Sequence, residues 1–386
     1  MTNSRKSKNR QSIRSKLAQV RGIDFALAML IFIIAFSQII IVLSNLLIPT
    51  MVQMQTFSKE QELNKLYSNI FQSQGHPANW AAIGTNDITD FRLGLLATSN
   101  SLDFTKINRL VPGISDYWLI DYTKVKLSYT LTRDFAIEIF SPIEVSIDNY
   151  NVAFNQITIY GSVSEYQTSI LDAKVWVYVV NADNEVFTNY TMTKDLSGSV
   201  GFISTFNVNV TTHYSVVALA QVGDIYQDYT LLRLTNGGVG LDYYAIDFDY
   251  LPTVRESSAV ETSAVDVSVS RSVLSDEAYV FTLFPFTDLD VNYFKQALQK
   301  VDSLDEGPIY AVENIPVPAK GFSVVLVQEF EDTVYRAGYM GVPMFLSSSL
   351  GTSFGPYADL NQLSHISETY TMFLQNMLVK CQIWYW

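Results

Sequence analysis

The longest apolar run in the chain reads IDFALAMLIFIIAFSQIIIVLSNLLI, from Ile23 to Ile48, with one acid near its start and no base. As a helix rising 1.5 Å per residue it would be roughly 39 Å long, enough to cross a ~30 Å hydrocarbon core. Pro49 follows and is expected to mark the exit, since proline seldom continues a helix without a kink. The stretch exceeds the usual length of a signal-peptide core and no A-x-A site follows it, so the expectation is a retained span rather than simple secretion. Further on, FSKEQELNKLYSNIFQ (57–72) places Leu63, Leu66 and Ile70 at helical spacing, ahead of Gly75. A short helix is expected from Ser101-Leu102-Asp103 to Leu110, stopped by Pro112-Gly113, whereas Tyr117 to Thr132 fits no single period.

From about Ile143 to Leu234 the pattern changes to short strands separated by turn residues. Ile157–Gly161, Ala173–Val179, Thr188–Thr193, Val200–Phe206 and Tyr214–Ala220 are strand candidates, with turns at Asn181–Asn184 and Asp195–Gly198. In the second of them Val175, Val177 and Val179 share one face, and Trp176 and Tyr178 the other. Strands at this spacing point to a β-sandwich. Beyond the glycine-rich segment 236–240, strands are expected at Val265–Ser270, Ala278–Phe286, Phe322–Phe330, Thr333–Tyr339 and Phe373–Trp386, with one helix near Asp288–Val301. The topology expected is a return of the chain to a sheet begun by Phe135–Phe140, which makes the sandwich an insertion.

Charge adds orientation. The net charge is −13; residues 1–22 hold seven cations (Arg5, Lys6, Lys8, Arg10, Arg14, Lys16 and Arg21) and no acid, which leaves −20 to the remainder. The positive-inside rule places the N-terminus in the cytoplasm and residues 50–386 outside the cell. A body this acidic repels nucleic-acid phosphates, so no nucleic-acid partner is expected. Cys381 is the single cysteine, which excludes an internal disulfide and a cysteine-based zinc site. Within the apolar run, Ala28, Ile31, Ala35, Gln38, Val42 and Asn45 fall within one sector of the helix, and a face of small and amide side chains suits close packing on another helix. A span that merely tolerates a few polar residues is the alternative.

These residues carry two resemblances. The basic tail, Arg21-Gly22 and the opening Ile23-Asp24-Phe25 resemble the archaeal class III signal peptide of type IV pilin-like membrane proteins, in which a prepilin peptidase cuts after a glycine or alanine and the apolar helix is kept as anchor and filament core. The resemblance implies processing at Arg21 and Gly22, with Asp24 as the near-N-terminal acid. Cutting after Gly22 puts Asp24 second, where such pilins place the acid fifth; cutting after Ala18 puts it sixth, behind a non-basic Leu17. GHPANW…FRLGLLATSNSLDFTKINRL (75–110) and DFAIEIF (134–140) resemble archaeal pilin-like membrane proteins over about the first 140 residues. The order G-x-V…DAKV…DLSG…Y-x-V-x-A resembles the Ig-like, carboxypeptidase-regulatory-like modules of cell surfaces.

The resulting expectation is a membrane-anchored chain: an N-terminal transmembrane α-helix followed by a mainly-β (α+β) ectodomain containing an Ig-like β-sandwich. Its parts are residues 1–22 (basic tail or leader), 23–49 (span), 50–141 (helical stalk and start of a pilin-like head), 142–235 (sandwich) and 241–386 (a C-terminal β-rich domain). Expected partners are the membrane, other transmembrane or pilin-like helices, and an extracellular protein or glycan.

Chemistry-bearing motifs are few. Gly351-Thr352-Ser353-Phe354-Gly355 matches G-x-S-x-G, but Pro356 follows at once and no alternating β/α pattern surrounds it; a loop is expected. His365 and Asp359 lie nearby in no hydrolase spacing. Asp288–Asn292 imitates the start of a calcium loop, but Tyr293 stands where glycine is needed; a capping box led by Thr287 with Asp290 is the simpler account. Calcium held by scattered acids such as Asp242, Asp247 and Asp249 stays open, and no other cofactor is expected. The glycine run lacks the setting of a phosphate loop, and His76, His213 and His365 are scattered without H-E-x-x-H. No catalytic residue is assigned and the chain is read as a non-enzyme, a hydrolase at Ser353 being the third reading after a pilin-like protein and an anchored adhesion protein. Asn189-Tyr190-Thr191 and Asn209-Val210-Thr211 are candidate N-glycosylation sequons.

Overall fold

A computed structural model describes residues 4–98, 100–111, 119–131, 133–153, 155–208 and 213–234, a series of separate strands between 243 and 342, and then residues 351–356 and 365–386. Asn209, Asp242, Asp247, Asp359, the glycine run 236–240 and the segment 287–292 lie outside the described residues. By chain contacts the molecule divides into two units, residues 1–62 and 63–386.

In the first unit, helix α1 (Ser4–Phe71) begins in the basic tail and continues past the unit boundary. It runs through Pro49 without ending, contrary to the expected exit there. One proline removes a single backbone donor, and hydrogen bonding resumes on either side of it. Asp24–Leu47 is long and apolar enough to cross a membrane, and none of it is buried. A segment of this kind near an N-terminus fits a membrane span and a signal sequence alike.

In the second unit, the last turns of α1 lose that uniform character. Leu63, Leu66, Ile70 and Phe71 are buried, and Tyr67 stacks on Tyr370. They share a core with a six-stranded sheet. Its principal members are β1 (Phe135–Phe140) and three C-terminal strands. Seven strands come between them in sequence: β2 (Glu144–Ala153), β3 (Gln156–Glu165), β4 (Lys174–Asn181), β5 (Val186–Met192), β6 (Val200–Asn207), β7 (Tyr214–Val222) and β8 (Tyr226–Leu234). They are followed by β9 (Tyr279–Leu283), β10 (Tyr293–Ala297), β11 (Ser323–Glu331), β12 (Val334–Val342), β13 (Gly351–Phe354), β14 (Ile366–Leu374) and β15 (Met377–Tyr385). β1 pairs with both β13 and β15, so the chain does return to the sheet it left at residue 140. Cys381, Ile383 and Tyr385 stand opposite Ile139, Ile137 and Phe135, which puts six apolar side chains on one face.

The expected single strand Phe373–Trp386 is instead a hairpin, β14–β15. Gln375 and Asn376 both have positive φ (48° and 59°), the conformation that the tightest two-residue hairpin loops need. Two further expectations are corrected. The G-x-S-x-G segment forms β13 rather than a loop, because β1 supplies it with a pairing edge that four residues cannot announce by themselves. The helix expected near Asp288–Val301 is replaced over its described part by β10 and a strand at Gln299–Leu304. β10 pairs along the preceding strand β9, and Lys295 Nζ lies 4.3 Å from the centre of the Tyr279 ring; cross-strand pairing outweighs local helical spacing.

Residues 144–234 form two packed sheets, with β2–β3–β6 in one and β8–β7–β4–β5 in the other. Val145, Ile157, Ile159, Phe202, Val175, Val177, Val179, Val216 and Ala218 fill the space between them. The second sheet is covered on its outer side too: Tyr178, Val180, Val217, Leu219 and Tyr229 belong to the same core as Phe281, Leu283, Val324 and Leu326 of β9 and β11. A strand covered on both faces reads as a continuous apolar run, which is what Tyr214–Val222 (YSVVALAQV) displays. The turn at 195–198 is held by Gly198 N–H donating to Asp195 Oδ1 (3.0 Å) with Ser197 and Gly198 at positive φ.

Candidate functional site

The residues singled out in the apolar helix remain exposed: Asp24, Ala28, Ala35, Gln38 and Asn45 all face outward from α1. Arg21 and Gly22 lie within the same helix.

The motif residues of 75–110 gather into one place, and their geometry is that of a clamp. Gly75 and Gly94 lie back to back; a Cβ on Gly94 would sit 2.1 Å from Gly75 N and one on Gly75 2.5 Å from Arg92 O, so neither position accepts a side chain. Trp80 is fully buried and its indole N–H donates to Gly94 O (3.1 Å). Arg109, also fully buried, donates to Trp80 O (2.6 Å), Ala81 O (3.1 Å) and Ile83 O, and to Thr85 Oγ1 (2.8 Å). Lys106 donates to Gln74 O (3.0 Å) and Leu96 O (2.9 Å), with Asp103 3.8 Å away. Burial lowers the pKa of Lys106, and nearby Asp103 opposes that shift. Each cation thus satisfies carbonyls of a loop that makes little sheet, the requirement placed on any buried backbone. Asp103 caps α2 (Phe104–Asn108) by accepting from Thr105 N (2.9 Å). The roles of Arg109 and Lys106 are not legible in the sequence; the one signal is a pair of cations, three residues apart, among the apolar Phe104, Ile107 and Leu110 of FTKINRL.

Ser353 sits in mid-strand opposite Glu138 and exposed to solvent, so no strand-to-helix nucleophile turn is formed. It lines a cleft of about 710 Å³ with Thr85, Asn86, Asp121, Tyr122 and Phe354. Most of the polar groups there are already engaged. Asp121 caps α3 (Tyr122–Ser128) by accepting from Thr123 N (2.8 Å); Tyr122 Oη donates to Asp134 (2.9 Å) and accepts from Phe135 N (3.0 Å); Thr85 accepts from Arg109. Of the sequons, Asn189 is half-exposed on β5 opposite Val177. Cys381 is fully buried, and burial pushes its thiol pKa up. Among the described residues no group of three or more His, Cys, Asp or Glu could hold a metal ion.

No family model matches the chain, and no curated protein matches it. Among solved structures it is similar to one from a study of the host cell surface retention of a 1.5-MDa bacterial ice-binding adhesin, at 10% identity and a TM-score of 0.19. That match covers 54% of this chain and 66% of the other, a little under two thirds of its length; so loose a superposition carries no argument about fold or function.

Proposed function

We propose that this chain is a single-pass surface protein, held in the cell membrane by α1 with its N-terminus in the cytoplasm, that carries its β domain outside in the manner of a pilin-like subunit. The observation that carries this reading is the change of character along α1. Asp24–Leu47 is predominantly apolar and none of it is buried, whereas Leu63, Leu66, Ile70 and Phe71 bury their side chains in a folded core. An exposed apolar stretch of 24 residues is stable in lipid and a liability in water. The seven cations before it and the acidic body after it support the orientation. The face of Ala28, Ala35, Gln38 and Asn45 supports packing on neighbouring helices. The strand order β2–β3–β6 against β8–β7–β4–β5 supports an Ig-like reading of the sandwich, a module that spaces and presents rather than catalyses. On the same reading Asn189 and Asn209 are glycan acceptors; mass spectrometry of native protein finding both unmodified would remove that assignment.

The test is alkaline extraction of native membranes combined with N-terminal mass spectrometry. Retention in the pellet until detergent is added, with a start at Met1, Thr2, Gln19 or Ile23, supports the proposal. Release without detergent, or a start beyond the apolar run, overturns it. A start at Gln19 or Ile23 together with recovery in sheared filaments marks a filament subunit, and an intact tail marks a standing anchor with an adhesive role.

A further inference from the structure

Among the described residues, the outer face of β2–β3–β6 presents a large sheet surface whose side chains are mostly polar and uncovered. Cross-strand register sets it out in rows: Asn151, Thr158 and Thr205; then Asn149, Tyr160 and Ile203; then Ser146 and Ser162 beside Gly201. The absence of a side chain at Gly201 leaves a dip, and the glycine is obligatory there, since a Cβ would meet Gly161 O at 2.6 Å. The resulting groove encloses about 530 Å³ between Tyr160, Ile203 and Leu196. A register irregularity between Ile147 and Asn149 brings Asp148 onto the same surface. Its carboxylate accepts from Ser146 Oγ (2.6 Å), which lies 2.9 Å from Ser162 Oγ, so the three groups are held in a fixed arrangement before any ligand arrives.

The chemistry of this groove selects among ligands. No lysine or arginine lines it; Lys194, opposite Gly201 in register, stands at its rim, and the groove sits on a body of charge −20, which disfavours anions. One carboxylate cannot supply the six to eight oxygens that calcium takes. A stable protein interface needs a broad apolar centre of aromatic and aliphatic anchors, whereas the apolar surface here is confined to the half-exposed Tyr160, Leu196 and Val200 and to Ile203, at 36% exposure. An aromatic ring beside fixed hydroxyls and a carboxylate, with amides in the next row, matches a neutral polyhydroxylated ligand: C–H faces stack on the ring while hydroxyls donate and accept at its edge. We infer that the groove over Gly201 is a binding site for neutral oligosaccharide, with Tyr160 as the platform and Asp148, Ser146 and Ser162 as the polar contacts.

The inference concerns the sandwich face and stands whether or not α1 is a membrane anchor. It is tested with the full chain in detergent micelles on an array of neutral and sialylated oligosaccharides, followed by titration calorimetry with the best neutral probe. Tyr160→Ala and Asp148→Ala are each expected to weaken binding about tenfold, as loss of a stacking contact or a charge-assisted hydrogen bond would. Asp148 is exposed, so its replacement leaves the fold intact, and an unchanged urea unfolding transition of the β domain verifies this for both variants. The inference is overturned by no binding on the array, by preference for the sialylated probes, or by binding that both folded variants retain. Alkaline extraction of the same preparation reports on the anchor separately.

Discussion

Two stretches of one helix solve opposite problems. Asp24–Leu47 exposes every apolar side chain it has, Phe32 at 67% and Leu46 at 63% among them. Residues 62–71 space Leu63, Leu66 and Ile70 by three and four, bury them and Phe71 to 2% exposure or less, and keep Glu62, Asn64 and Lys65 nearer the surface. The first pattern has no preferred side because its solvent is apolar all round; the second has one side because water lies on the other. What distinguishes an anchor from a core helix is thus the arrangement of apolar residues and not their number.

The largest effect expected from breaking this contrast is at the anchor. Two arginines in its middle (Ile34→Arg with Ile40→Arg) should cost about 5 kcal/mol or more in lipid, and the protein should move from pellet to supernatant on alkaline extraction. At the other end, Ile70→Ala should destabilise the β domain by about 3 kcal/mol in urea unfolding, whereas Ile40→Ala should leave that transition unchanged. Equal effects of the two alanines would abolish the distinction. The buried Cys381 thiol gives a second reading of the same variants: alkylation should be slow in the parent chain, fast in Ile70→Ala and unaltered in Ile40→Ala.

Smaller effects sharpen the picture. Asp103→Ala removes the α2 cap and should lower stability by about 1 kcal/mol. Burial raises the thiol pKa of Cys381 above its ordinary 9.0, so in this range the folded state holds a proton that the unfolded chain releases. Stability from this group is therefore complete below about pH 9 and falls as pH rises, by about 1 kcal/mol near pH 10, and Cys381→Ala should remove that part of the slope.

Much of this architecture is legible in local pattern. The apolar run, the spacing of Leu63, Leu66 and Ile70, and the alternation of Val175, Val177 and Val179 each report the environment in which the residue ends up, because burial acts on side chains one at a time. Pairing is different. β13 and β10 read locally as loop and helix, and became strands because β1 and β9 offered them edges. The clamp around Trp80 is also invisible in sequence, since Arg109 and Lys106 bond to backbone carbonyls and any residue can supply a carbonyl.

What the amino-acid sequence determined by itself is which segments avoid water and with what period: one long apolar helix, a basic tail, an acidic body and a set of short strands. What only the tertiary structure decided is who lies beside whom. It joined residue 140 to residues 351 and 380, covered both faces of β4 and β7, left the outer face of β2–β3–β6 open with a dip at Gly201, and closed two cations over a loop. The reason is that hydrophobic periodicity is a property of neighbours along the chain, whereas register, edge pairing and the satisfaction of buried backbone groups are settled between segments far apart in it.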